Sequence, residues 1–120
     1  MLSAKMEKAF NKQINAELYS SYLYLAMAAC FKGQHWDGFA HWLKVQAQEE
    51  YGHGMKFYGQ IFERDGQVVL DGIAQPPAKW NSTLAAFEAV LKHEQKVADD
   101  RKTATSKPAS SAPASQAAPN

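Results

Sequence analysis

Apolar positions recur at helical spacing over residues 3–32. Phe10, Ile14, Glu17, Ser21, Tyr24 and Ala28 fall at i, i+4, i+7, i+11, i+14 and i+18, which is one face of an α-helix. Met6, Leu18, Tyr22 and Leu25 widen that face. Ser3 can cap the start, and no Pro or Gly intervenes before Gly33. The pattern predicts one helix of about 45 Å, a length typical of bundles and coiled coils.

A second long helix is predicted over residues 37–65. Asp37 can cap it, and Arg64-Asp65-Gly66 can end it. Phe39, Leu43, Gln46, Glu50, His53 and Phe57 share a face. Gly52, Gly54 and Gly59 are poor helix formers, each about 1 kcal/mol worse than Ala, unless they let a neighbour approach closely. The link at 33–36 is short, so the two helices should form an antiparallel hairpin. The next link, 66–81, carries Val68-Val69-Leu70, an expected turn at Asp71-Gly72, and Pro76-Pro77. Its length suits a crossover that returns a third helix parallel to the second. That helix, 82–102, should be capped by Ser82 or Asn81 and should turn Leu84, Phe87, Leu91, Glu94 and Ala98 to one side.

Residues 103–120 are rich in Ala, Ser and Pro, with no apolar side chain larger than Ala. Such a segment buries too little surface to offset its ordering entropy, and it is expected to be a disordered tail. The prediction is an all-α chain: one helical domain over 3–102, an incomplete antiparallel bundle, and the tail. Of the 120 residues, 46% are hydrophobic and 21% charged, with net charge +1. That balance gives no electrostatic case for nucleic acid or an anionic membrane. A single cysteine, Cys30, excludes an internal disulfide and reads as core. The N-terminal residues lack a secretory pattern and no apolar run can span a bilayer, so a cytoplasmic location is expected.

Each helix carries a Glu on its apolar face: Glu17, Glu50 and Glu94. The second adds a histidine as Glu50-x-x-His53, and i and i+3 project to one side of a helix. A buried carboxylate is costly unless it is paired or binds a cation. Carboxylates with one imidazole suit iron or manganese better than a structural zinc. Di-iron carboxylate bundles use a Glu from each of two helices and Glu-x-x-His from each of the other two. One Glu-x-x-His and two single Glu are present here. Glu49 lies one residue off the face and reads as solvated, as do His35 and His41. His93 should point away from the face of Glu94. The run Asp99-Asp100-Arg101-Lys102 reads as a charged end. Walker, G-x-G-x-x-G, G-x-S-x-G and H-E-x-x-H motifs are absent, and no basic stripe is present.

The segments INAELYSSYLYLAMAACF, GFAHWLKVQAQEEYGHGMKFYGQIFERDG and FEAVLKHEQKV resemble bacterial non-haem ferritin, over about residues 5–97. The resemblance implies a ferritin-like fold with a di-iron ferroxidase centre. It implies Glu50 as the carboxylate bridging two irons, Glu17 and His53 at the first iron, and Glu94 at the second. It also implies Glu49 at an outer iron site and Tyr24 as a redox-active neighbour. The implied activity is oxidation of Fe(II) by dioxygen or peroxide, with ferric mineral stored in a 24-subunit cage.

After about residue 97 the chain departs from the family pattern. The family's fourth and short fifth helices, with the remaining ligands, have no counterpart, which reads as C-terminal truncation or divergence. Iron binding is thus more strongly expected than full turnover. Two other readings follow from the residues: a non-catalytic helical interaction module, and a dimer of 3–65 hairpins that rebuilds the di-iron recipe from two Glu17 and two Glu-x-x-His sets.

Overall fold

The computed structural model describes residues 2–105. These form three helices: α1 (Ala4–Gly33), α2 (Asp37–Glu63) and α3 (Thr83–Thr105). No strand occurs among the described residues. α3 continues three residues past the expected end at 102, so 103–105 are helical and do not belong to the tail. The rest of the expected disordered segment, 106–120, lies outside the described residues.

Local chemistry explains the helix starts. Ser3 Oγ accepts from the Met6 N–H at 3.1 Å, and Ser82 Oγ from the Ala85 N–H at 3.0 Å. Asp37 does not cap α2. It is the first helical residue, Trp36 takes the cap position without a side-chain bond, and Asp37 pairs with Lys32 at 3.3 Å. The helix ends also differ from expectation. Left-handed backbone falls on His35 (φ 68°) and Asp65 (φ 60°), not on Gly33 or Gly66. The N–H groups of Trp36 and Gly66 then reach back to the carbonyls of Phe31 and Ile61, both at 2.8 Å. Those bonds satisfy helix-terminal acceptors that would otherwise lack a partner.

The end of α2 returns to the start of α1, where the Leu2 N–H meets the Arg64 carbonyl at 3.2 Å. From there the crossover runs up the outer face of α1. Asn11 holds it twice, donating to the Gln67 carbonyl at 2.9 Å and accepting from the Val69 N–H at 2.8 Å. Asn15 donates to the Gly72 carbonyl at 3.0 Å. No turn forms at the expected Asp71-Gly72, where the link is instead tied to α1 by these bonds. α3 therefore starts beside the far end of α1 and runs parallel to α2.

Two apolar clusters result. One gathers Leu23, Tyr24, Met27, Ala28 and Phe31 of α1 with Ala40, Leu43 and Ala47 of α2 and Ala86 and Val90 of α3. The other joins Phe10 and Ile14 to Phe57, Ile61 and Ala104, with the Phe10 and Phe57 rings edge-to-face at 5.4 Å. Some large residues assigned to core faces point outward. Tyr22 and Leu25 are about half exposed, and so is the α3 stripe of Leu84, Phe87 and Leu91. α3 packs instead through Ala86, Val90 and Val97, small enough for close approach to the hairpin.

Of the three unexpected glycines in α2, only Gly54 sits against a neighbour; a Cβ there would lie 3.5 Å from Glu17 Cβ. Gly52 and Gly59 have open space around them. Gly52→Ala should therefore stabilise the protein by about 0.5–1 kcal/mol, through helix propensity and a less flexible unfolded chain. Urea denaturation checks this; a midpoint no higher than the parent's would contradict it.

Candidate metal centre

Between the two apolar clusters lies a polar layer. α1 contributes Gln13, Glu17 and Ser20, all buried, and α2 contributes buried Glu50. Glu17 is fully inaccessible and Glu50 is 2% exposed. Both occupy the inward faces that the helical spacing assigns them. His53, one turn on from Glu50, reaches the same point from a half-exposed position. Its Nδ1 is 3.3 Å from Glu50 Oε1 and 3.7 Å from Glu17 Oε1. One ligand atom from each of the three residues lies within 4.8 Å of the others. That is the donor set of a borderline-to-hard divalent cation, with two carboxylates and an imidazole and no thiolate. Among the described residues no second such group of three occurs.

One partner was not anticipated. Arg101 of α3 enters the layer, its Nε 2.9 Å from Glu17 Oε2 and its Nη2 3.2 Å from Glu17 Oε1. The same Nη2 lies 3.3 Å from His53 Nδ1 and 3.7 Å from Glu50 Oε1. A guanidinium only donates and a carboxylate oxygen accepts, so Nδ1, 3.3 Å from Arg101 Nη2 and from Glu50 Oε1, bonds one or the other according to the ring's tautomer. The sequence pattern places Arg101 only in a charged end, Asp99–Lys102. The signal for it was positional: it is one turn beyond Val97 and two beyond Glu94, on the buried side of α3.

Burial, the largest influence on Glu17, pushes its carboxyl up. Hydrogen bonds with Arg101, Glu50 and Gln13 and the Arg101 charge outweigh burial and hold it below the usual carboxylate range. Gln13 Nε2 supplies one of these bonds at 2.9 Å. The hydrogen bond to Glu17, ahead of the opposing effect of burial, keeps Arg101 firmly protonated. Glu50 fares differently. Burial first, then the hydrogen bonds shared with Glu94 and Glu17 and their charges, push its carboxyl up to about 10. Burial does most of this, and the nearest donors favour the other acids: Arg101 forks onto Glu17 and Tyr24 bonds Glu94, while Glu50 has only the longer approaches of His53 Nδ1 at 3.3 Å and Arg101 Nη2 at 3.7 Å among the described residues.

Tyr24 is fully buried, and its hydroxyl donates to Glu94 Oε2 at 2.6 Å. Burial, followed by that bond and the nearby acidic charges, raises the phenol far above its ordinary value. Glu94 is half-buried; burial raises its carboxyl, but bonds with Glu50 and Tyr24 prevail and lower it. It adjoins Glu50 without joining the three-residue group. Glu49 is exposed and stands apart from that group. His93 does not point away, as had been expected. It faces α1, half-buried, with Nε2 2.7 Å from Ser20 Oγ and its ring edge-on to Tyr19 and Tyr24. It sits one turn after Val90, and that spacing could have revealed it.

Comparisons to known proteins identify the family. The family Ferritin, described as a ferritin-like domain, matches residues 7–105. The chain belongs to the ferritin family. Its likeness thus extends eight residues past the point near 97 where it was read from motifs. The bacterial non-heme ferritin of Bacteroides fragilis strain 638R is 43% identical over 97 residues, covering 81% of this chain and 61% of that protein. That of Staphylococcus epidermidis RP62A is 38% identical, covering 81% and 58%. An open-pore ferritin from the hyperthermophilic archaeon Archaeoglobus fulgidus superposes with a TM-score of 0.84 at 46% identity, covering 87% of this chain and 64% of its own. The chain therefore spans about three-fifths of the length of the curated ferritins it matches. No helix among the described residues is long and apolar enough to cross a membrane.

The raised titration of Glu50 has a measurable consequence for this ferritin domain. Its folded-state carboxyl titrates above its unfolded value, so the stability it contributes is full below about pH 4.5 and is lost as pH rises towards about 10. Glu50→Gln keeps the shape, removes that titration and adds a donor. In metal-free protein it should be about 1–3 kcal/mol more stable than the parent near pH 8, with the gain shrinking towards pH 5. Denaturant midpoints across that range test it; a variant destabilised equally at every pH would contradict it.

Proposed function

We propose that this chain handles iron as ferritins do, binding Fe(II) at Glu17, Glu50 and His53 and supporting its oxidation to Fe(III) for storage. The observation that carries this reading is the convergence of two buried carboxylates and an imidazole on one point in the bundle. Iron is the substrate. Glu17, Glu50 and His53 bind and orient the first ion, and anionic oxygen donors favour its ferric form. Glu50, shared with Glu94, is the natural bridge to a second ion, for which these two carboxylates are the protein donors among the described residues. Tyr24, hydrogen-bonded to Glu94, is positioned to pass an electron and proton during oxidation by dioxygen or peroxide. Exposed Glu49 suits an outer, transit position for iron. A di-iron ferroxidase step and cage assembly are the finer parts of the proposal, because the matched ferritins are longer than this chain.

Of the alternatives, the hairpin dimer is disfavoured by one observation. α3 lies over the acidic face of the α1–α2 hairpin, with Glu94, His93 and Arg101 each bonded to α1 residues. A second hairpin would have to displace it. The interaction-module reading keeps the exposed stripe Leu84, Phe87 and Leu91 but leaves two buried carboxylates without a purpose.

Anaerobic Fe(II) titration of the full chain tests the proposal, followed by admission of air and measurement of ferric absorbance, with particle mass measured in parallel. Saturable binding is expected, weakened at least roughly tenfold in Glu50→Ala and in Glu17→Ala. Affinities unchanged in both variants would remove the site. A small particle that oxidises iron without accumulating it would retain the centre and exclude the cage.

A further inference from the structure

We propose that Arg101 is a built-in cation that fills the metal-binding group in the metal-free chain, so that metal entry requires its withdrawal. The inference rests on the iron-site reading above. The guanidinium engages the atoms a metal ion would use. It binds both oxygens of Glu17, at 2.9 and 3.2 Å, approaches His53 Nδ1 at 3.3 Å, and lies 3.7 Å from Glu50 Oε1. Metal bonds to such oxygens and nitrogens are about 2.0–2.2 Å. An ion that close to Glu17, Glu50 and His53 would need the same lone pairs that now face the guanidinium, with a second positive charge pressed against Nη2. The two cannot share the group.

Charge gives the physical reason for the arrangement. The fully buried Glu17 carboxylate needs a compensating cation, and the planar fork of arginine matches it bidentately. Arg101 also has a way out. It comes from the last described turns of α3, its side chain is 30% exposed, and it lines an open cleft of about 490 Å³ with His53, Lys56 and Phe57. The cleft gives the retracted guanidinium room and gives an incoming ion a route past His53.

A purely structural salt bridge would have the opposite consequence. If Arg101 only tied α3 to α1, removing it would loosen the centre and weaken metal binding. As a competing cation, its removal tightens binding while it destabilises the metal-free protein. The test uses Zn(II), a redox-inert probe with the same ligand types, measured by calorimetric titration of the full chain and of Arg101→Gln and Arg101→Lys. Arg101→Gln should bind Zn(II) about tenfold to a hundredfold more tightly than the parent, with Arg101→Lys between them. Its melting temperature should fall without metal and recover with it.

Equal or weaker affinity in Arg101→Gln at unchanged helicity overturns the competition and leaves the metal site standing. No Zn(II) binding by either protein overturns both. If Arg101→Gln fails to fold, the parent decides. Its Arg101 Nε–H NMR signal should move on saturation with Zn(II), and a signal that stays in place overturns the proposal.

Discussion

Everything in this chain is arranged around two carboxylates removed from water. Glu17 and Glu50 face one another across the α1–α2 interface, in a layer that interrupts the apolar core between the Phe31 and Phe57 clusters. Ionised acids in such a place need cations or donors, because desolvation removes what water would supply. Arg101 and Gln13 attend to Glu17, and Tyr24 attends to Glu94. Glu50, buried beside Glu17 and Glu94 with His53 and Arg101 at longer range, has its carboxyl pushed well above the usual carboxylate range. Within the layer Arg101 is the cation that answers these acids, and under the proposed function a metal ion would answer them in its place.

The same layer sets the position of α3. Its apolar contacts with the hairpin are made mainly by small residues, Ala86, Val90, Val97 and Ala104. Such contacts add buried area but tolerate sliding. Three polar clasps do not: His93 to Ser20, Glu94 to Tyr24, and Arg101 to Glu17. They recur down one side of α3 and all reach α1. Buried polar pairs of this kind discriminate between registers because a slip leaves each partner unsatisfied. The crossover contributes from outside, held to α1 by Asn11 and Asn15.

Much of this was legible in the chain. Helical spacing identifies all three elements, their antiparallel-then-parallel course and the inward Glu17, Glu50 and His53, because long amphipathic helices repeat one rule over many turns. The departures have physical causes. On α3, size was mistaken for burial: Leu84, Phe87 and Leu91 are large and exposed, whereas the helix approaches its neighbours on Ala and Val. At the ends of α1 and α2, His35 and Asp65 accept left-handed backbone in place of Gly33 and Gly66, and local patterns give little warning of which residue will do so. Arg101 was hidden among charged neighbours, since a lone residue type does not say whether its charge is solvated or paired. Counting the buried negative charge and asking which helix could answer it would have pointed to position 101.

The proposed competition joins these strands. If the guanidinium and a metal ion contend for Glu17, Glu50 and His53, then metal occupancy and the attachment of the last turns of α3 are linked, and linkage is reciprocal. An ion that enters releases the Arg101–Glu17 clasp, at the end of α3 where Ala104 adds buried apolar contact. Conversely, anything that pins those turns to the hairpin strengthens Arg101's hold and weakens metal binding by the same factor. The other two clasps lie nearer the start of α3 and do not use the metal-binding atoms of Glu17 and His53. The helix can therefore stay registered on α1 while its end responds to the ion. The cation that completes the charge of the buried layer is then either carried by the chain or taken from solution, and the free-energy difference between the two sets the affinity of the site.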